Sequence, residues 1–310
     1  MQFKVRRVLI AVADGSARKV VDRAAQIVGS SKAHIELFSV VRPPPPMLGI
    51  SPIEDTQITR SLVEAKRHQL EKLAGRLRDN SIAVTCTVAA NASVIDAIVR
   101  RAKQTKAHLL AIEAHHHSLL ARLFLSQHDY DLLRHSPVPL LIVKGGKIKP
   151  AAPILAALDP WHSIRKPQAL DSSIVSAGRG FAEALGTTLH TVHVYSPLMS
   201  FAADATFAPM AIPISVPEEK QYAADIRRNF AKVSAKYRID KRCSHLRMGD
   251  PAFILPALAK SLKAQLLVMG GISRSAIGRL LIGSTAERVL DSLPCDILIV
   301  KPTAQRSVGN

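Results

Sequence analysis

The chain has 310 residues, 47% of them hydrophobic, and a formal charge of +18. At ~150 residues per domain this is room for about two cored domains, and with no apolar run near ~18 residues a membrane-spanning helix is excluded. The large positive charge should draw polyanions. However, 4% aromatic residues leave little stacking surface, and no helix-turn-helix or zinc-finger spacing is present, so specific nucleic-acid binding is disfavoured. Three scattered cysteines, Cys86, Cys243 and Cys295, argue against a disulfide framework, and Cys86 and Cys243 read as strand residues in the core. The start, Met1 to Arg7, runs into a strand without a small-residue cleavage site, so no signal peptide is expected and the cytoplasm is the expected compartment.

In chain order, Val8 to Ala13 is a continuous apolar run, as in strands buried on both faces of a parallel sheet. Asp14-Gly15-Ser16 reads as a turn and cap before a helix to about Val28, and Ile35 to Val41 is a second strand. Pro43 to Pro46 break the pattern, and a long helix follows from about Pro52 to Asn80 with Leu70, Leu73 and Leu77 on one face. Ile82 to Val88 is a third strand, Ser93 to Lys103 a capped helix, Leu109 to Ile112 a fourth strand, Gln127 to His135 a helix and Pro139 to Val143 a fifth strand. Gly145 to Pro150 has linker composition.

The pattern then begins again. Ile154 to Asp159, a helix, Leu189 to Tyr195, a long loop, a helix near Glu218 to Tyr237, Cys243 to Leu246 and a helix opened by Gly249-Asp250-Pro251 lead to Leu266 to Met269. Leu141-Ile142-Val143-Lys144 matches Leu298-Ile299-Val300-Lys301 at 298 − 141 = 157, whereas matching Asp14 to Asp159 places the first strands 145 apart. Twelve extra residues (157 − 145) are therefore expected before the third strand of the second half, most of them in the Ser196 to Pro217 loop. A repeat of this length is a duplicated domain, expected as 1–146 and 151–304. Alternating β and α elements imply parallel sheets with helices on both faces, and a ligand crevice where strand order reverses.

The chemistry concentrates in the stretch from Gly270 to Thr285. It lies between a strand and a helix, is rich in Gly and Ser, carries Arg274 and Arg279, and opens the helix on Gly283-Ser284-Thr285. Small residues allow an anion to approach the backbone, and the first N–H groups of the helix can bind it. The same residues also serve an ordinary turn and N-cap. Neither a Walker motif nor a dinucleotide fingerprint is present. His115-His116-His117 with His128 and Asp129 could suggest a metal, but three adjacent histidines cannot easily converge on one ion.

Gly270, two residues, Ser273, nine residues and Gly283-Ser284, followed by Thr285-Ala286-Glu287-Arg288-Val289-Leu290 and Pro294 to Val300, resemble the G-x2-G-x9-G-[ST] region of universal stress proteins. The likeness spans the chain as two copies, the first degenerate, as in the tandem branch of that family. It implies two Rossmann-like (adenine nucleotide alpha hydrolase-like) domains, each a five-stranded parallel sheet of order 3-2-1-4-5. It also implies a cytoplasmic stress-response regulator holding ATP, with Mg2+, in the second half. There Asp159 and Val194 would face the nucleoside, Gly270, Ser273, Gly283, Ser284 and Thr285 would surround ribose and phosphates, and Arg274 would add charge. Ser273 departs from the family's second glycine and resists a positive φ. In the first half, Glu113 stands at the position of Gly270, His116 at Ser273 and Ser126 at Gly283. A carboxylate at ~4 Å from a phosphate charge costs about 4 kcal/mol at a dielectric near ~20, so no ATP site is expected there. Two alternatives stand beside ATP binding. One is a nucleotide-free scaffold engaging proteins, RNA or acidic lipid through its basic surface; the other is a weak ATPase without a clear base. A homodimer through sheet edges is a further expectation.

Overall fold

A computed structural model describes residues 3–13, 17–29, 33–43, 52–114, 125–145, 151–160, 169–197, 216–271 and 284–301. The first half contains β1 (Arg7–Ala11), α1 (Arg18–Val28), β2 (His34–Val41), α2 (Pro52–Arg78), β3 (Ala83–Ala90), α3 (Val94–Gln104), β4 (Leu109–Glu113), α4 (Gln127–His135) and β5 (Leu140–Val143). The second contains β6 (Ile154–Ala157), α5 (Ala169–Ala184), β7 (Leu189–Tyr195), α6 (Val216–Lys236), β8 (Ser244–Met248), α7 (Pro251–Ser261), β9 (Leu266–Gly270), α8 (Ser284–Ser292) and β10 (Asp296–Val300).

Helix starts follow local chemistry. The Ser93 hydroxyl accepts from the Asp96 N–H at 3.3 Å and starts α3. Ser126 and Asp129 form a reciprocal capping box on α4. Asp250 accepts from the Ala252 N–H at 2.8 Å, with Pro251 as the first residue of α7. Helix α1 has no side-chain cap of its own, since Ala17 stands at its N-cap and its first turn holds no acidic residue.

Each half has the strand order 3-2-1-4-5, but the two sheets are one. Ten strands run β3-β2-β1-β4-β5-β10-β9-β6-β7-β8. All neighbours are parallel except β5 and β10, which pair antiparallel with Leu141 opposite Leu298. The two five-stranded parallel sheets of order 3-2-1-4-5 that the likeness implies are therefore both present, joined edge to edge through their fifth strands. Both fifth strands are buried along their length and would leave unpaired apolar edges, which mutual pairing removes. One helix layer (α1, α2, α5) covers one face with a continuous core from Val20 through Leu70 to Leu170 and Phe181. The other layer (α3, α4, α7, α8) contributes Ile98, Leu132, Leu255 and Leu290.

The strand register corrects the repeat. Val8 pairs with Leu109 and Ile154 with Leu266. Leu109 and Leu266 are 266 − 109 = 157 apart, so the first strands are 154 − 8 = 146 apart, not 145. Asp159 thus occupies the place of Ala13, not Asp14. Val8 also pairs with Ile35 and Ile154 with Leu189, an offset of 189 − 35 = 154 for the second strands. Eight extra residues (154 − 146) therefore enter between the first and second strands, ahead of β7, and only three (157 − 154) come later. Matching by a shared aspartate had concealed this, because hydrogen-bond register, not residue identity, sets equivalence. Cys243 is also not a core strand residue: it ends a 3-10 turn and is half-buried, as Cys86 is, while Cys295 is the buried thiol.

Candidate functional site

In both halves the first strand lies between the second and the fourth, so the order reverses there. In the second half β6 is flanked by β7 and β9, and the carboxyl ends of all three face the same way. Asp159 stands two residues beyond β6, half-buried, and its N–H is directed at Asp171 Oδ1, 3.5 Å away in the first turn of α5. Val194, near the end of β7, packs with Ala157 and Met269 against the α7/α8 layer. Gly270 ends β9, opposite Val300 of β10. Ser284 and Thr285 are the first residues of α8. The adjacency of the three strands thus brings Asp159, Val194 and Gly270 to one end of the sheet. Ser273, Arg274 and Gly283 lie outside the described residues.

Gly270 has a packing role as well. A Cβ there would meet Leu170 Cδ2 at 2.7 Å, closer than carbon atoms approach. The missing side chain lets the second residue of α5 lie flat on the strand end. Two further groups border the crevice. His193 is buried on β7, with Nδ1 3.0 Å from the Leu158 carbonyl and its ring beside Tyr195 and Phe230. Asp171 reaches the Asp159 backbone. Both had sequence signals: a period-two His193/Tyr195 alternation, and an acidic residue in the first turn of a helix.

The first half places a carboxylate at the corresponding point. Glu113 ends β4 opposite Val143, as Gly270 ends β9 opposite Val300. Glu113 Oε2 accepts from the N–H groups of Lys19 (3.1 Å) and Val20 (3.3 Å), and Oε1 lies 4.0 Å from Lys19 Nζ. The carboxylate therefore supplies, from 93 residues away, the cap that α1 lacks. It occupies the helix N-terminus as a resident anion. The equivalent meeting in the second half is apolar: Leu170 against Gly270.

Of the histidine cluster, His128 Nε2 lies 3.0 Å from Arg42 Nη2, and Asp129 is buried in its capping box. His115, His116 and His117 lie outside the described residues, and among the described residues no group of three metal-ligating side chains forms. The thiols are not activated. Burial pushes those of Cys86 and Cys295 up to about 12, and Cys243 is raised for the same reason. Among the described residues no helix is long and apolar enough to cross a membrane.

Fold and crevice define a duplicated, doubly wound α/β protein with one half closed by its own carboxylate. The chain belongs to the universal stress protein family, whose model matches residues 4–144 and 152–301. It is 26% identical over 261 residues to a universal stress protein E homolog of Haemophilus influenzae, covering 82% of this chain and 81% of that protein. It is 26% identical over 298 residues to universal stress protein E of Escherichia coli K12, covering 92% and 89%. A functionally unknown protein from Pseudomonas aeruginosa PAO1 shares the fold with a TM-score of 0.73 at 23% identity, covering 96% and 93%. A universal stress protein from Archaeoglobus fulgidus does so with a TM-score of 0.67 at 16% identity, covering 97% and 100%.

Proposed function

We propose that this is a stress-response regulatory protein that binds ATP, with Mg2+ on the phosphates, in the crevice of its second domain (151–304). The observation that carries this reading is the contrast between Gly270 and Glu113. The same strand end holds a helix-capping carboxylate in the first domain (1–146) and no side chain in the second. A phosphate near Gly270 would meet no carboxylate at that strand end, and α8 opens at Ser284, where the first N–H groups of a helix have no partner within the helix. In this reading Asp159 and Val194 bound the nucleoside, and Ser273, Gly283, Ser284 and Thr285 surround the phosphates, with Arg274 adding charge. ATP acts as a signal to be held, not a substrate to be turned over. The cytoplasm is the proposed compartment, supported by three free cysteines. The fifth-strand edges are spent within the chain, so a second copy would pair at β3 or β8, the outer strands of the sheet.

Calorimetric titration with MgATP, beside Gly283→Glu, tests the reading. Saturable binding near one ATP per chain that is lost in the variant supports it. Absence of heat and of a thermal shift at millimolar ATP rejects it. It would then favour a nucleotide-free scaffold, for which the close packing of Leu170 on Gly270 is the supporting observation.

A further inference from the structure

We propose that the C-terminal end of α6 and the turn after it form a docking surface for a nucleic-acid double helix, gripped through its phosphate backbone. Arg227, Lys232, Lys236, Arg238 and Lys241 are all exposed there, and none has a carboxylate within 4.0 Å among the described residues. The neighbouring carboxylates are already engaged: Asp225 with Arg228, and Asp240 with Arg242. The corresponding helix of the first half is different. On α2, Arg76 pairs with Asp22 at 3.2 Å and Arg78 with Glu71 at 2.9 Å. Arg60, Arg67 and Lys72 of α2 are exposed cations as well, but the last turn of α2 has its cations paired with carboxylates, whereas Lys236 in the last turn of α6 and Arg238 and Lys241 after it are not so paired among the described residues.

The shape of the surface selects among polyanions. Lys232 and Lys236 stand four residues apart, a step of ~6 Å along one side of the helix, and Arg228, itself paired with Asp225, lies one step before them. Beside them Ala224, Ala231 and Ala235 are exposed, a low strip that lets a rigid rod of phosphates come close while the flanking cations reach around it. A duplex presents one charge per ~1.7 Å of axis, and neutralising it releases condensed counterions. A single strand would want stacking rings, and Tyr237, already under Lys236 at 5.5 Å, is half-buried. A bilayer would want apolar side chains to insert. The large ones exposed among the described residues, Ile58, Leu62, Met248 and Phe253, lie on other elements. No base-reading helix is implied; contact is with the backbone and independent of sequence.

The test uses the full chain and fluorescence anisotropy with short labelled DNA and RNA duplexes. Lys232→Glu/Lys236→Glu/Lys241→Glu is compared with an equal charge change on α2, Arg60→Glu/Arg67→Glu/Lys72→Glu. We expect the α6 variant to bind at least about tenfold more weakly, with the salt slope reduced by about three, and the α2 variant to lose less than about threefold. Lys232→Gln/Lys236→Gln/Lys241→Gln, with unchanged thermal melting, should reproduce the loss and exclude misfolding. Equal losses in both charge-reversal variants would show a diffuse field and overturn the proposal. So would absence of duplex binding by the parent, or patch-dependent binding to phosphatidylserine vesicles without duplex binding.

Discussion

Lys144 Nζ lies 3.2 Å from the Leu293 carbonyl, across the seam between the two halves. Its counterpart 157 residues on, Lys301, reaches back to the Ser136 carbonyl. Each lysine follows the last strand of its own half and ends on carbonyls that follow the last helix of the other. Lys144 also donates to the Leu290 carbonyl, and its backbone N–H donates to Asp296 Oδ1 at 3.0 Å. Burial pushes both lysines down to about 8, and for Lys144 nearby Asp291 opposes the shift. A lysine lowered in the fold is held more weakly protonated there than in the unfolded chain. Stability should therefore rise as pH climbs from about 8 to about 10.5, because the amine sheds a costly buried charge yet keeps N–H donors for the carbonyls. For Lys144 the rise is up to about 3 kcal/mol at ~1.4 kcal/mol per pH unit. Urea denaturation at pH 7 and pH 10 measures it, and Lys144→Met should remove the Lys144 share of the rise and leave that of Lys301.

A second tie crosses the same seam. Arg23 of α1 is 7% exposed, and its Nε lies 3.0 Å from Asp296 Oδ2. The contact is close but not well directed, since that oxygen makes no hydrogen bond of standard geometry. Burial pushes Asp296 up to about 6, against the pull of Arg23 and Lys144. Removing only the guanidinium would strand a buried carboxylate. Arg23→Leu should cost about 3–5 kcal/mol, and Arg23→Leu/Asp296→Asn clearly less than Arg23→Leu alone. Chemical denaturation of the two variants checks this; a double variant as weak as the single would show that the pair itself stabilises the seam.

Glu113→Ala should destabilise the first half by about 1–2 kcal/mol, since α1 loses the carboxylate that accepts from the N–H groups of Lys19 and Val20. Glu113→Gln keeps an acceptor oxygen and should recover part of that. Hydrogen exchange at the start of α1 reports the loss locally.

Gly270→Ala places a methyl against Leu170. The clash falls on the end of a flexible side chain, so the cost should be about 1–3 kcal/mol, not complete unfolding. Leu170→Ala in the same chain should cost less than its effect on the parent, because the two changes compete for one space. Thermal melting of the three variants tests that coupling.

The strands, the helices and the 3-2-1-4-5 order of each half were legible from apolar runs, caps and the family likeness. The joint was not. Leu140 to Val143 and Ile297 to Val300 read as ordinary fifth strands, and nothing in their side chains says that each completes its edge with the other. The site was legible in outline only. Glu113 reads in sequence as a penalty against phosphate; its use as a remote cap depends on a contact between residues 93 apart in the chain. Gly270 suggested room for a ligand, whereas part of that room belongs to Leu170. The shared aspartates misled by one position, since Asp159 stands in register with Ala13.

The antiparallel seam has a geometric consequence. Reversing direction at β5 and β10 sends the carboxyl ends of the two halves to opposite poles of the molecule. The Glu113 pole and the Gly270 pole therefore cannot share one ligand, and a partner seated at one leaves the other uncovered. Any message between them must cross the breadth of the sheet, through the few polar ties that fasten its middle.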